Sequence, residues 1–122
     1  MKVEKLLLFE HSSILALNQY LGCFIDYVEN RDLEVFVGDY KQITPAQCVL
    51  SCQQQNYKYA AIQNHNECRC DHQYGKYGQA LDDECNYLCI SSDKCGGHNR
   101  NSIYTVMKQN DASKTGYLSN IV

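Results

Sequence analysis

Eight cysteines carry most of the chemistry this chain offers: Cys23, Cys48, Cys52, Cys68, Cys70, Cys85, Cys89 and Cys95. A thiol can be a nucleophile, a metal ligand or half of a disulfide. Two pairs, Cys48/Cys52 and Cys85/Cys89, have zinc-like spacing, but Cys68/Cys70 has one residue between and is flanked by His65 and His72. An even number of cysteines crowded into one short segment reads instead as a disulfide framework formed in an oxidising compartment. Oxidised thiols leave no Cys/His nucleophile, and no Ser/His/Asp arrangement replaces it. Asp82, Asp83 and Glu84 are adjacent carboxylates. Glycosidic cleavage needs two carboxylates facing each other across about 5–10 Å. Neighbours on one turn do not reach that geometry, so these three read as a solvated acidic turn. No calcium loop of EF-hand spacing is present. The residues point to a non-catalytic binding protein with no metal and no cofactor.

The aromatic residues are lopsided: ten tyrosines, three phenylalanines and no tryptophan. A tyrosine pairs a flat apolar face with a hydroxyl, which suits stacking on sugar rings. Tyr74, Tyr77 and Tyr87 fall in or near a long segment with little periodicity, residues 71–84. Binding function concentrates in such loops. The competing role is packing over disulfides. Asn99 and Arg100 follow Gly96-Gly97 and offer an amide and a guanidinium fork to sugar hydroxyls or a uronate. Their competing role is structural, with Arg100 paired to a carboxylate or bonded to loop carbonyls.

These residues need elements to hold them. Tyr20 to Ile25 reads as a strand and Leu33 to Val37 as a second. Thr44-Pro45-Ala46-Gln47 has a capping threonine, proline at the first helical position and glutamine three after the cap. This predicts a helix over about 45–55, with Asn56 suited to a left-handed stop. Tyr57 to Gln63 and Glu67 to Asp71 read as a hairpin around Asn64-His65-Asn66, and Ile103 to Met107 as a closing strand. Cys48 and Cys52 lie one turn apart on one helix face, while Cys68 and Cys70 project from one strand face. The helix can therefore be riveted twice to the hairpin, as Cys48 with Cys68 and Cys52 with Cys70 or in the crossed version.

A chain of 122 residues supports one domain with a modest core. Each disulfide adds about 2–4 kcal/mol. The net charge is −3 and no basic stripe is present, which argues against nucleic acid. No apolar run approaches the ~20 residues of a membrane span. Residues 1–19 read as leader or linker: Leu6-Leu7-Leu8-Phe9 resembles a signal core, but Glu10 and His11 interrupt it. Residues 20–107 form the cysteine-bearing domain, and 108–122 read as a flexible C-terminal tail.

The ordered set of motifs resembles the WSC domain family. Tyr20-Leu21-Gly22-Cys23 is similar to its opening and Thr44-Pro45-Ala46-Gln47-Cys48 with Cys52 to its helix. Tyr57-Lys58-Tyr59-Ala60 and Asn66-Glu67-Cys68-Arg69-Cys70 are similar to its hairpin. Glu84 to Cys89 and Cys95 to Tyr104 are similar to its closing segment. The resemblance covers residues 20–107 and uses all eight cysteines. It implies an α+β, PAN/apple-like domain, with an antiparallel sheet on one main helix and four disulfides. Their pairing would be Cys23–Cys85, Cys48–Cys68, Cys52–Cys70 and Cys89–Cys95. It also implies a secreted or cell-surface, lectin-like module that binds polysaccharide or glycoprotein glycans, the alternative being a protein-interaction or adhesion module of receptor-ectodomain type. The chain departs from the family at Asp71, where glycine is frequent, and in the tyrosines of 71–84. The family's serine/threonine-rich stalk and membrane span do not follow the domain here, so the resemblance implies a free domain or a fragment.

Overall fold

A computed structural model describes residues 18–108. Apart from Asn18, Gln19 and Lys108, the expected leader and tail lie outside the described residues. The elements in chain order are β1 (Tyr20–Ile25), β2 (Val35–Asp39), α1 (Pro45–Gln54), β3 (Tyr59–Gln63), β4 (Glu67–Asp71) and β5 (Arg100–Thr105), with a short 3-10 turn at Asp82–Glu84 before β5. The five strands make one antiparallel sheet in the order β1-β5-β3-β4-β2, and α1 lies on one face. The protein is thus a disulfide-rich α+β domain.

Helix α1 begins where the capping signal places it. The Thr44 hydroxyl accepts from the Gln47 backbone N–H, and the Gln47 side chain accepts from the Thr44 N–H at 2.9 Å. It ends at Gln54, and Asn56 takes the left-handed conformation, φ 66°. The hairpin turn is left-handed at Asn64 and His65.

Three strand boundaries move from expectation. β3 starts at Tyr59 because the Tyr57 N–H is bonded to the Cys52 carbonyl at the helix end. β2 starts at Val35, opposite Cys70, because Asp32 and Leu33 are buried beneath the sheet instead of joining it. β5 runs from Arg100 and stops at Thr105, where Ile103 to Met107 was expected. Its first residues, Arg100-Asn101-Ser102, are polar and hide the strand in the sequence, yet Asn101 and Ser102 are fully buried.

The cysteines form four disulfides, Cys23–Cys85, Cys48–Cys68, Cys52–Cys70 and Cys89–Cys95, with Cα atoms 5.3–5.7 Å apart. The helix–hairpin rivets are uncrossed. Strand alternation divides the core in two. Ile43, Cys48, Val49, Cys52, Ala60, Ile62 and Tyr104 pack between sheet and helix. Phe24, Leu33, Ala61 and Ile103 pack on the opposite face, beneath loops. Gly96 crosses β3 so closely that a Cβ would sit 2.4 Å from the Ile62 carbonyl oxygen, and its φ is +80°. Only glycine fits that crossing.

Candidate functional site

The sheet has two ends. Ile25, Arg100, Gln63, Glu67 and Asp39 mark one of them, where β1, β3 and β2 stop and β5 and β4 start. Most of the polar structure gathers there. Asp26 follows β1 and is fully buried. Its carboxylate accepts from the Asp32 N–H at 2.8 Å, from Arg31 Nη1 at 2.8 Å and from Gln63 Nε2 at 2.8 Å. Gln63 Nε2 also donates to Asn101 Oδ1 at 2.8 Å. A buried carboxylate is tolerable when paired and hydrogen-bonded in this way.

A second carboxylate extends the knot outward. Asp32 Oδ2 accepts from the Gly75 N–H at 2.7 Å, and Oδ1 from the Lys76 N–H at 3.1 Å. The loop after β4 is thereby tied to the loop after β1. Further along, the Ile25 N–H donates to the Gly78 carbonyl at 3.1 Å and the Ala80 N–H to the Cys23 carbonyl at 2.8 Å. Residues 78–80 thus cover part of the free edge of β1, which would otherwise offer unpaired backbone groups.

These ties set the tyrosines. Tyr77 meets Tyr27 edge to face, centroids 4.7 Å apart, and its hydroxyl donates to the Asn30 carbonyl. Lys76 Nζ donates to Asn30 Oδ1 at 3.2 Å and stands 5.5 Å from the Tyr77 ring centroid. Tyr27 is 50% exposed and Val28 is 60% exposed. The result is a fixed aromatic platform on the surface. Tyr27, Asn30 and Lys76 were missed by sequence reasoning. The signal that could have found them was Tyr27-Val28 standing ahead of the polar run Glu29-Asn30-Arg31-Asp32.

The other singled-out residues have different settings. Tyr74 packs edge-on against Phe24 at 5.1 Å and against Tyr59 at 4.6 Å, in the core opposite the helix. Tyr87 stacks flat on His65, 4.4 Å between centroids and 4° between planes. His65 Nδ1 lies 3.0 Å from the Leu88 carbonyl, so this stack clamps the Cys89–Cys95 loop to the β3–β4 turn. The Asn99 carbonyl accepts from the Asp26 N–H at 3.1 Å and from Arg100 Nη1 at 2.8 Å. Arg100 Nε donates to Glu84 Oε1 at 2.7 Å. Tyr77, Tyr87, Asn99 and Arg100 therefore share one end of the sheet, while Tyr74 is turned into packing.

Near the opposite end, Tyr20 donates to Asp82 Oδ1 at 2.6 Å, and Lys94 pairs with Asp82 at 3.2 Å. The Tyr20 bond, with help from Lys94, holds the Asp82 carboxyl below its ordinary value. Burial first, and then Asp82, push the Tyr20 phenol above its own. The acidic turn expected at 82–84 is thus a set of structural ties, through Asp82 to Tyr20 and Lys94 and through Glu84 to Arg100.

Comparison with known families decides what scaffold this is. The WSC domain family model matches residues 20–97. The chain belongs to the WSC domain family. It is 36% identical over 91 residues to the xylosyltransferase oxt of Drosophila melanogaster, covering 71% of this chain and 10% of that protein. It is 31% identical over 84 residues to human Kremen protein 1, covering 66% of this chain and 18% of that protein. A WSC domain-containing protein of Arthroderma benhamiae is 35% identical over 106 residues, covering 79% of this chain and 12% of that protein. This WSC domain therefore spans no more than about a fifth of these relatives' length, and in the xylosyltransferase the shared part is a small fraction of a larger enzyme. Among the described residues no helix is long and apolar enough to cross a membrane.

Proposed function

We propose that this WSC domain is an extracellular, non-catalytic carbohydrate-binding module that recognises cell-wall or cell-surface polysaccharide. The observation that carries the reading is the pair of exposed Tyr27 and half-buried Tyr77, held by Asp32 and Asn30 before any ligand arrives. Rigid aromatic faces lose little entropy on binding. Tyr27 offers its ring, and the Lys76 ammonium and Asn30 amide stand ready for hydroxyls. Asn99 and Arg100 follow at the same sheet end, with Tyr87 beyond them. The four disulfides suit an oxidising, extracellular setting.

A shallow face gives weak monovalent affinity, on the order of 0.1–1 mM. Avidity on a repetitive polymer raises the apparent strength. The test is a pull-down on insoluble β-glucan, mannan and chitin. Wild type is expected to bind at least one polymer, and Tyr27→Ala with Tyr77→Ala to lose about tenfold or more, in line with aromatic stacking contributions of 0.5–1.5 kcal/mol per ring. Full retention by a folded double variant moves the site elsewhere. No binding to any of the three overturns the neutral-sugar reading.

A second reading, protein adhesion, has its own observation. Leu88 and Ile90, on either side of Cys89 in the Cys89–Cys95 bridge, are 50% and 64% exposed. Leu88→Ser/Ile90→Ser would abolish association with a protein partner and leave polysaccharide binding intact.

A further inference from the structure

The far end of the sheet holds a second candidate site. A cleft of about 760 Å3 opens where α1, β3, β4 and β5 finish or begin. That volume lies within the ~300–1,000 Å3 of ordinary small-ligand sites. Tyr57, Tyr59 and His72 supply its aromatic surface, Asn56 and Gln53 its amides, and Lys58 and Lys108 its charge. The rings of Tyr57 and His72 lie against each other, centroids 4.8 Å apart.

The cleft is built from fixed parts. Cys52–Cys70 joins the last turn of α1 to the end of β4 beside it. Gln53 Nε2 donates to the Met107 carbonyl at 2.9 Å, and the Val106 N–H to the Lys58 carbonyl at 2.9 Å. Asn56 holds its left-handed conformation between helix and strand. These are the conditions under which a site needs little ordering on binding.

Its charge is distinctive. The chain as a whole is acidic, at −3, but among the described residues no carboxylate lines this cleft. Asp71, next to His72 in the chain, has its two oxygens engaged by the Glu34 N–H at 3.0 Å and the His72 N–H at 2.7 Å. Two ammonium groups with no counter-ion among the described lining residues, together with aromatic rings and amides, match a ligand with both sugar faces and negative charge. We infer that this cleft binds an acidic saccharide, one bearing carboxylate or sulfate groups. The inference does not rest on the Tyr27–Tyr77 platform, which lies at the other end of the sheet.

The experiment uses the purified domain and affinity electrophoresis in gels containing polygalacturonate, heparin or neutral dextran. Retardation is expected with an acidic polymer and not with dextran, and it is expected to weaken as salt rises. The polygalacturonate and heparin arms separate uronate from sulfate recognition. Lys58→Gln/Lys108→Gln is expected to weaken binding about tenfold. The charge-matched control Lys41→Gln/Lys94→Gln, outside the cleft, is expected to keep wild-type retardation. Tyr57→Leu, checked for folding, should weaken binding at every salt concentration. Equal losses in both lysine pairs would reduce the effect to general electrostatics and overturn the site. Retardation by neither acidic polymer would overturn it too. Retardation abolished by Tyr27→Ala/Tyr77→Ala but kept by Lys58→Gln/Lys108→Gln would assign acidic polymers to the platform and also overturn it.

Discussion

The two ends of the sheet solve the same problem with different materials. At the platform end, loops with little secondary structure are ordered by buried carboxylates: Asp26 gathers Arg31, Asp32 and Gln63, and Asp32 holds Gly75 and Lys76. At the cleft end, order comes from covalent and strand contacts: Cys52–Cys70, the Tyr59↔Thr105 pairing and the Val106 N–H to Lys58 bond. The platform loops depend on charge and hydrogen bonding, and the cleft on a crosslink and strand pairing. The same class of surface, aromatic rings beside amides and lysines, can be fixed by either means. Their failure modes should differ.

The largest difference should follow from Asp26→Ala. It removes the buried carboxylate that pairs with the part-buried Arg31 guanidinium and accepts one of the two hydrogen bonds from the buried Gln63 amide. Breaking one member of such a pair costs about 3–5 kcal/mol. Urea unfolding should show that loss, and hydrogen exchange should rise first at Asp32, Gly75 and Lys76 while Val106 stays protected. Equal exposure at both ends would mean that the ends are not independent.

Next comes Cys52→Ala/Cys70→Ala. The bridge spans 18 residues, and loops of that length correspond to about 3 kcal/mol. The loss is expected in urea unfolding with exchange rising at Tyr57 and Val106 and little change at Gly75. Polymer binding through Tyr27 and Tyr77 should survive in the folded fraction. A loss of platform binding without unfolding would contradict the division.

The smallest effect concerns pH, at the Tyr20–Asp82 contact near the cleft end. The Tyr20 hydrogen bond, then Lys94, lowers the Asp82 carboxyl. A depressed carboxylate stabilises above its unfolded value, about 3.9, and that contribution is lost as pH falls through the lower folded value. Tyr20→Phe should therefore be less stable than wild type at pH 6, with the gap closing as the medium is acidified below about pH 4. Parallel pH–stability curves for the two proteins would show that the contact is not linked to folding. The Tyr20 phenol, raised by burial first, remains a donor throughout that range.

Much of the scaffold was legible in the residues. Thr44, Pro45 and Gln47 specify a helix start through contacts within one turn. Glu67 to Asp71 alternates, and β4 has those bounds. The resemblance carried the disulfide pairing, because geometry alone left crossed and uncrossed rivets open. The site was less legible. Tyr74 and Tyr77 are neighbours in one loop, yet one ring lies between Phe24 and Tyr59 and the other meets Tyr27 near the surface. No local pattern distinguishes them. The start of β5 at Arg100-Asn101-Ser102 was not legible, because the buried side-chain oxygens of Asn101 and Ser102 are satisfied by distant partners, Gln63 and Gly96.

By itself, then, the sequence determined the short-range features: the capped helix, the hairpin, the two cysteine pairs on matching faces, and an acidic, disulfide-rich domain. Those features depend on residues within a turn or a strand of one another, where spacing fixes geometry. Only the tertiary structure decided which tyrosines face outward, that Asp26 and Asp32 order the platform, and that Tyr57, Lys58, His72 and Lys108 meet in a cleft with no carboxylate among its described lining residues. Each of these depends on contacts between segments far apart in the chain. Whether a side chain is buried or exposed, paired or available, is a property of what folds against it.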